Sequence, residues 1–287
     1  MTMFSDTRYR CVLHSIRASN GQAAEFTGGS NITDGRPSTR CAIKWIGATT
    51  SDYMEIIVRV EPAAPYMPAV PESRLWFIDS LVGIPQFTQV AMCSGASPSS
   101  LSYVWSNSLG SMPNGRPGQW VARQQGQGRT HEYFAFRIFN NVSGQASIVP
   151  GSTVQIGEVF AGPVIDWPAA DLEIKPVDLS LTNEASDGTI RRVKRTPQRQ
   201  LTVTIPPQTY DKAIAGVGAL TLQEFVYRLI AADSLVVVAL PRLHGSADMT
   251  ALQQATGFLV CLQDAGALKF SATSHVGPLT LTFKEAL

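Results

Sequence analysis

The chain is predicted to be mainly β, built as two modules: an N-terminal β-sandwich of jelly-roll type, then a small antiparallel β-sandwich or barrel carrying one α-helix. Three observations predict this. Residues 1–162 contain short runs of strong β formers between Ser-, Gly-, Asn- and Pro-rich segments, with no helical periodicity. Residues 163–287 contain cleanly alternating apolar and polar runs and a single 3.6-period stripe. Between them, Gly162-Pro163 and Trp167-Pro168 follow one another closely. Proline fixes φ, removes a donor and pushes its predecessor away from helix, so this spot reads as the hinge between domains 1–162 and 163–287.

The totals agree. A length of 287 residues suits about two domains. Hydrophobic residues make up 44%, enough for two cores, whereas charged residues make up only 16%, so part of the surface is expected to be covered by assembly. A net charge of +1 gives no bulk attraction to nucleic acid or membrane. The opening MTMFSDTRYR has no apolar run behind it and is read as lacking a secretion leader. The longest apolar run, Leu235–Leu240, is far short of a membrane span, so no membrane insertion is expected. Cys11, Cys41, Cys93 and Cys261 form no CxxC and are read as free thiols, with Cys11–Cys41 the one pair worth testing.

In the first module the strand candidates are Tyr9–Ile16, Tyr53–Val60, Leu75–Ile78, Gln89–Cys93, Glu132–Phe139 and Val154–Phe160. The segment SNITDGRPSTRCAIKW, Ser30–Trp45, holds a turn at Asp34-Gly35 stiffened by Pro37. Asn31, Asp34-Gly35, Pro37-Ser38-Thr39-Arg40 and Trp45 together resemble the signature loop of galactose-binding-like (discoidin-type) jelly rolls. Phe136-Arg137-Ile138-Phe139-Asn140 and Ile156-Gly157-Glu158-Val159-Phe160 are similar to that family's closing strands. The resemblance implies a structural calcium held through backbone carbonyls and an acid, which here would fall on Asp34 and Thr39. Cys41 stands where an aromatic residue often falls. The plainer alternative is a tight turn without an ion, since one Asp is a poor site for a hard cation. From Ser94 to Thr130 the chain is polar and Gly-rich, with Tyr103, Trp105 and Trp120 embedded. On a loop these aromatic residues would stack on a glycan or anchor an interface; otherwise they fill the core.

The second module is easier to read. Val177, Leu179 and Leu181, then Leu201, Val203 and Ile205, then Leu279, Leu281 and Phe283 each alternate with polar residues and read as half-buried strands. Asn183 and Asp187-Gly188 signal a hairpin between the first two. Thr221 with Glu224 forms a capping box, and Leu222, Phe225, Val226, Leu229 and Ile230 form one apolar stripe, which predicts a helix over 221–233. Leu235–Leu240, Phe258–Leu262 and Lys269–Thr273 read as further strands. Arg191, Arg192, Lys194, Arg195 and Arg199 form a basic run; without interleaved aromatic residues it reads as a solvated or intersubunit arm rather than a nucleic-acid footprint.

This order resembles the tail-tube and distal-tail class of tailed phages: a long hairpin with an Arg-rich arm, one helix, a buried strand and the closing Leu279–Leu287. The resemblance implies a virion structural protein of the tail tip, assembled in the host cytoplasm. It would form a ring with copies of itself, contact the tube, hub and other tail-tip proteins, and meet DNA only as cargo. Arg191, Arg192, Lys194, Arg195 and Val203 are the candidate assembly residues. The alternative is a carbohydrate-binding adhesin that holds a host glycan through Tyr103, Trp105 or Trp120. A hydrolase with a binding module is the third class. His14, His131, His244 and His275 have no second ligand at metal spacing, and no HExxH, GxSxG or Walker loop is present, so catalysis and a cofactor are not expected.

Overall fold

The computed structural model describes residues 2–62, 74–85, 88–108, 120–124, 131–167, 171–184, 186, 190–194, 197–209, 213, 221–232, 235–239, 256–269 and 275–286. In chain order the first strands are β1 (Thr2–Ser5), β2 (Tyr9–Ala18), β3 (Phe26–Thr27), β4 (Cys41–Lys44), β5 (Tyr53–Pro62), β6 (Arg74–Asp79), β7 (Thr88–Gly95), β8 (Ser102–Ser108), β9 (Trp120–Gln124), β10 (Tyr133–Val142), β11 (Thr153–Ile156) and β12 (Glu158–Trp167). They are followed by β13 (Asp171–Val177), β14 (Leu181–Glu184), β15 (Ile190–Val193), β16 (Gln198–Ile205), β17 (Gln208–Thr209), helix α1 (Leu222–Ala231), β18 (Leu235–Ala239), β19 (Thr256–Ala265), β20 (His275–Val276) and β21 (Leu279–Glu285). Two compact units result: Met1–Asp166 with Leu235–Phe258, and Trp167–Ser234 with Leu259–Leu287.

Unit 1 is an antiparallel β-sandwich. One layer is the five-stranded sheet β2-β5-β10-β7-β8. Facing it are the three-stranded sheet β11-β4-β3 and the run β18-β1-β12-β6-β9. Alternation along β5, β7 and β10 aims Ile56, Val58, Val90, Met92, Phe134, Phe136 and Ile138 inward. There they share one core with Cys41, Ile43, Trp76, Ile78, Val154, Ile156 and Val159 from the facing sheets. The outer side is also covered at Ile57, Cys93 and Ala135, with Leu101 and Tyr133 packed against them. Burial on both faces accounts for the unbroken apolar run Ile56-Ile57-Val58 in β5.

The expected strand Val154–Phe160 is two strands in different sheets, separated at Gly157. A Cβ on Gly157 would stand 2.5 Å from the Pro37 carbonyl oxygen and 2.6 Å from the Ser80 Cβ, so only glycine lets the chain cross there. The expected break at Gly162-Pro163 is absent, because β12 runs through it to Trp167. Pro163 lies opposite Arg74, and its carbonyl accepts the Asp6 N–H at 3.0 Å. The position calls for an acceptor, which proline retains. Pro168, the second expected break, lies outside the described residues.

Unit 2 carries the ladder β13-β16-β21-β19, the hairpin β14–β15 and the short pair β17–β20. Leu201, Val203 and Ile205 of β16 and Leu279, Leu281 and Phe283 of β21 are buried on one face. Thr221 caps α1 by accepting the Glu224 N–H at 3.1 Å, as its spacing predicts. The helix buries Leu222, Phe225, Val226 and Leu229, with the Phe225 ring 5.6 Å from that of Trp167. Ile230, expected on that stripe, is 60% exposed. The alternation Val177–Leu181 does not make one strand either. Asp178 accepts the Ser180 N–H at 2.8 Å in an Asx turn that separates β13 from β14, and Leu181 faces solvent. Of the hairpin-turn signals, Asn183 lies in β14, and Asp187-Gly188 fall outside the described residues.

Val203 is wholly buried, so it belongs to the unit 2 core rather than to an assembly contact. Val203→Asp is expected to destabilise the protein by roughly 3–5 kcal/mol by burying an unpaired charge. Val203→Ile, which adds one methylene without a charge, is expected to cost about 1–3 kcal/mol. Urea unfolding followed by tryptophan fluorescence measures both.

Candidate functional site

β4 carries functional features at both its ends. Past its C-terminal end, Trp45 is held on both sides of its peptide: its N–H donates to the Ser152 carbonyl at 2.9 Å, and its own carbonyl accepts from Gly151 at 2.8 Å. The indole Nε1–H donates to the Gly47 carbonyl at 2.8 Å, and the ring is otherwise buried. Asp52 closes the following loop, because its carboxylate accepts the Ala48 and Thr49 N–H groups and the Thr49 and Ser19 hydroxyls. Those bonds, the Thr49 N–H foremost, pull its pKa down to about 2.

On this frame lies an open groove of about 310 Å³, lined by Gln22, Ala23, Glu25, Lys44, Trp45, Ile46 and Gly151. Its walls come from the turn after β2, the end of β4 and the turn before β11. Lys44 Nζ lies 3.1 Å from Glu25 Oε2, with both side chains largely exposed. An exposed pair of this kind contributes little to stability and exchanges partners readily. An amide, a carboxylate and an ammonium therefore line an apolar floor, a set that suits a ligand rich in hydroxyls.

Before β4 is the loop that resembles the calcium loop of discoidin-type jelly rolls. Asp34 Oδ1 accepts the Arg36 N–H at 2.8 Å, and Oδ2 accepts the Thr39 hydroxyl at 2.7 Å. That hydroxyl is also 2.7 Å from the Arg36 carbonyl oxygen. Gly35, at φ 74°, donates its N–H to Glu158 Oε2 at 3.0 Å. Asp34 and Thr39 are thus brought together, but they are engaged with the loop's own donors. Among the described residues no group of three or more His, Cys, Asp or Glu gathers at metal-binding distance. Glu158 was not singled out by the sequence, since its partner is a backbone amide contributed from far away in the chain. Burial, countered only in part by that Gly35 bond, pushes its pKa from 4.5 up to about 9.

The other sequence-selected residues disperse. Tyr103 and Trp105 lie on β8, an edge of the five-stranded sheet, and Tyr103 is exposed. Trp120 opens β9, the edge of a different sheet, opposite Ile78. They are strand residues on separate sheets, not one loop; the side chains of Trp105 and Trp120 lie outside the described residues. Arg191 and Arg192 are on β15, where Arg192 pairs with Asp178, and Lys194 is exposed just beyond it. Arg195 lies outside the described residues. Arg199 belongs to β16 and is bound to the buried Glu285, with Nη2 2.6 Å from Oε1.

No family model matches the chain, and no curated protein matches it. Among solved structures it is similar to CBM32-3 from a family 31 glycoside hydrolase of Clostridium perfringens, at 10% identity, over 56% of this chain and 94% of that one, with a TM-score of 0.36. It is also similar to CBM32 of AlyQ in complex with 4,5-unsaturated mannuronic acid, at 18% identity, over 55% of this chain and 96% of that one, with a TM-score of 0.31. The β-sandwich class itself rests on the strand ladders described above.

Glu158 binds its proton more tightly folded than unfolded. It therefore stabilises the fold fully below pH 4.5, and that contribution is lost progressively as pH rises toward 9. Glu158→Gln keeps an acceptor for Gly35 and is expected to raise the urea midpoint at pH 8 while leaving it nearly unchanged at pH 4. A variant less stable than the parent at pH 8 would show that the ionised carboxylate is held by a cation.

Proposed function

We propose that this chain is a non-catalytic carbohydrate-binding protein, an adhesin whose unit 1 holds a glycan in the groove beside Trp45. The supporting observation is the groove's lining: Gln22 and Glu25 from the segment after β2 and Lys44 from the end of β4 meet on a frame fixed by the Trp45 backbone bonds and the Asp52 cap. Such a site binds by hydrogen bonds to sugar hydroxyls and by apolar contact with Ala23 and Ile46. The sugar site moves accordingly from Trp105 and Trp120, which sit on different sheets, to the turns around β4. The full-length protein is expected to bind a subset of a glycan array. Lys44→Ala and Glu25→Ala should each weaken binding about tenfold, the worth of one to two hydrogen bonds. Binding indifferent to both substitutions, or no binding on the array, overturns the reading.

A second reading is favoured by a separate observation. The hairpin β14–β15 projects three large apolar residues into solvent, with Leu181, Ile190 and Val193 exposed by 48%, 66% and 57%. Monomers rarely display such an arm. It suits a structural subunit of a phage tail tip, with the arm seated on the next copy of a ring or on a neighbouring tail protein. Negative-stain images should then show rings, and Ile190→Asp should abolish them with the melting temperature unchanged. Ring-free particles at high protein concentration count against this reading.

A further inference from the structure

β13 ends the unit 2 ladder. Every residue from Asp171 to Pro176 is exposed, including Leu172 and Ile174 at 37% and 41%. Those two lie opposite Val203 and Leu201 of β16, so they continue the sheet's buried apolar face out into solvent. Pro176 shows which backbone groups form the open edge. It lies opposite Arg199, whose N–H is directed to Glu285 Oε2 at 3.1 Å rather than to β13. Proline lacks an N–H and fits an edge strand where its nitrogen faces away from the ladder. By alternation Leu172 and Ile174 face the same way, and among the described residues no strand pairs with their N–H and C=O groups.

We propose that this edge is an interaction surface for a second copy of the chain, with two β13 strands pairing antiparallel about a two-fold axis centred on Ile174. The charges select that register. With Ile174 opposite Ile174, Glu173 of each copy lies directly opposite Lys175 of the other, twice over. Leu172 lies opposite Pro176, and its N–H meets a carbonyl that proline retains. Sliding by two residues one way puts Glu173 against Glu173, and the other way puts Lys175 against Lys175. The first of these also sets Asp171 against Lys175 twice, so what distinguishes the centred register is that it carries two attractive pairs with no like-charge pair at the closest cross-strand distance. The contact is isologous and closes on itself, so it makes a dimer and does not by itself close a ring. It rests on unit 2 alone and is independent of the glycan groove.

The test is sedimentation of the full chain across a concentration series, with melting curves to confirm folding. The parent should show a monomer–dimer equilibrium. Lys175→Glu and Glu173→Lys should each weaken dimerisation at least about tenfold, since each replaces two attractive pairs by two repulsive ones. The swap E173K/K175E should restore it, and Ile174→Pro should remove it. A parent monomeric at millimolar concentration overturns the proposal, as does a dimer unaffected by the single charge reversals. Single reversals that weaken the dimer with no rescue by the swap would overturn the register. Glycan binding by the parent is measured separately and is unaffected by either result.

Discussion

The side chain of Glu55 is 2% exposed, yet β5 could not tolerate an unpaired carboxylate there. Its oxygens accept from Arg17 Nε at 2.5 Å and Arg137 Nε at 2.7 Å, and both arginines are directly opposite it, on β2 and β10. Arg137 also lies 4.9 Å over the Tyr53 ring, and Arg17 reaches the Pro98 carbonyl at 3.0 Å. Buried ion pairs are weak sources of net stability but strong sources of register. A slip of one residue in β2 or β10 would part Glu55 from an arginine, and in β10 it would turn Phe134, Phe136 and Ile138 away from the core. The triad therefore fixes the three strands on which the sandwich of unit 1 is built.

How much of this was legible depends on the range over which each signal acts. α1 is local, and its cap and most of its stripe were readable from consecutive residues; only Ile230 strayed, on the more exposed margin of the stripe. The β-sandwich class was readable because alternation is a local consequence of the pleat. The split at Gly157 was not, since the need for glycine comes from Pro37 and Ser80 crossing there. The same is true of Glu158, whose perturbed proton affinity depends on burial under a distant loop. The continuity of β12 through Pro163 was hidden because a proline that only accepts looks, in sequence, like one that terminates. At the candidate site, conspicuous Trp105 and Trp120 drew attention, while Gln22, Glu25 and Lys44 carried no pattern. Only the turns that bring them together make them a site.

β4 is short, and both of its ends are spent on loop order. Ahead of it, Asp34 and Thr39 close a turn on themselves, and Glu158 takes the remaining Gly35 amide. Beyond it, Trp45 and Asp52 do the same for the groove wall. Such prepayment of loop entropy is what lets exposed polar side chains bind with useful affinity, because little ordering remains to oppose the contact. The difference between the ends lies in exposure. The Glu158 carboxyl is buried and accepts the Gly35 N–H, so that end is structural. Glu25 and Lys44 are exposed and pair with each other, so that end is free to exchange partners.

Charges and a proline on an edge strand are commonly protections against aggregation, and β13 has both. Protection and recognition are compatible here, because charge blocks pairing only where like meets like. Glu173 and Lys175, two residues apart on one face, bring a like-charge pair together in either neighbouring register and none in the one centred on the residue between them. Pro176 removes one donor on each side of that centre and leaves the Ile174 and Leu172 donors intact. An edge meant only to repel would carry one sign of charge and would not leave Leu172 and Ile174 uncovered on the face that continues the core. The combination found on β13 discourages arbitrary partners and leaves one geometry, supplied by an identical strand, in which apolar cover, backbone pairing and charge agree.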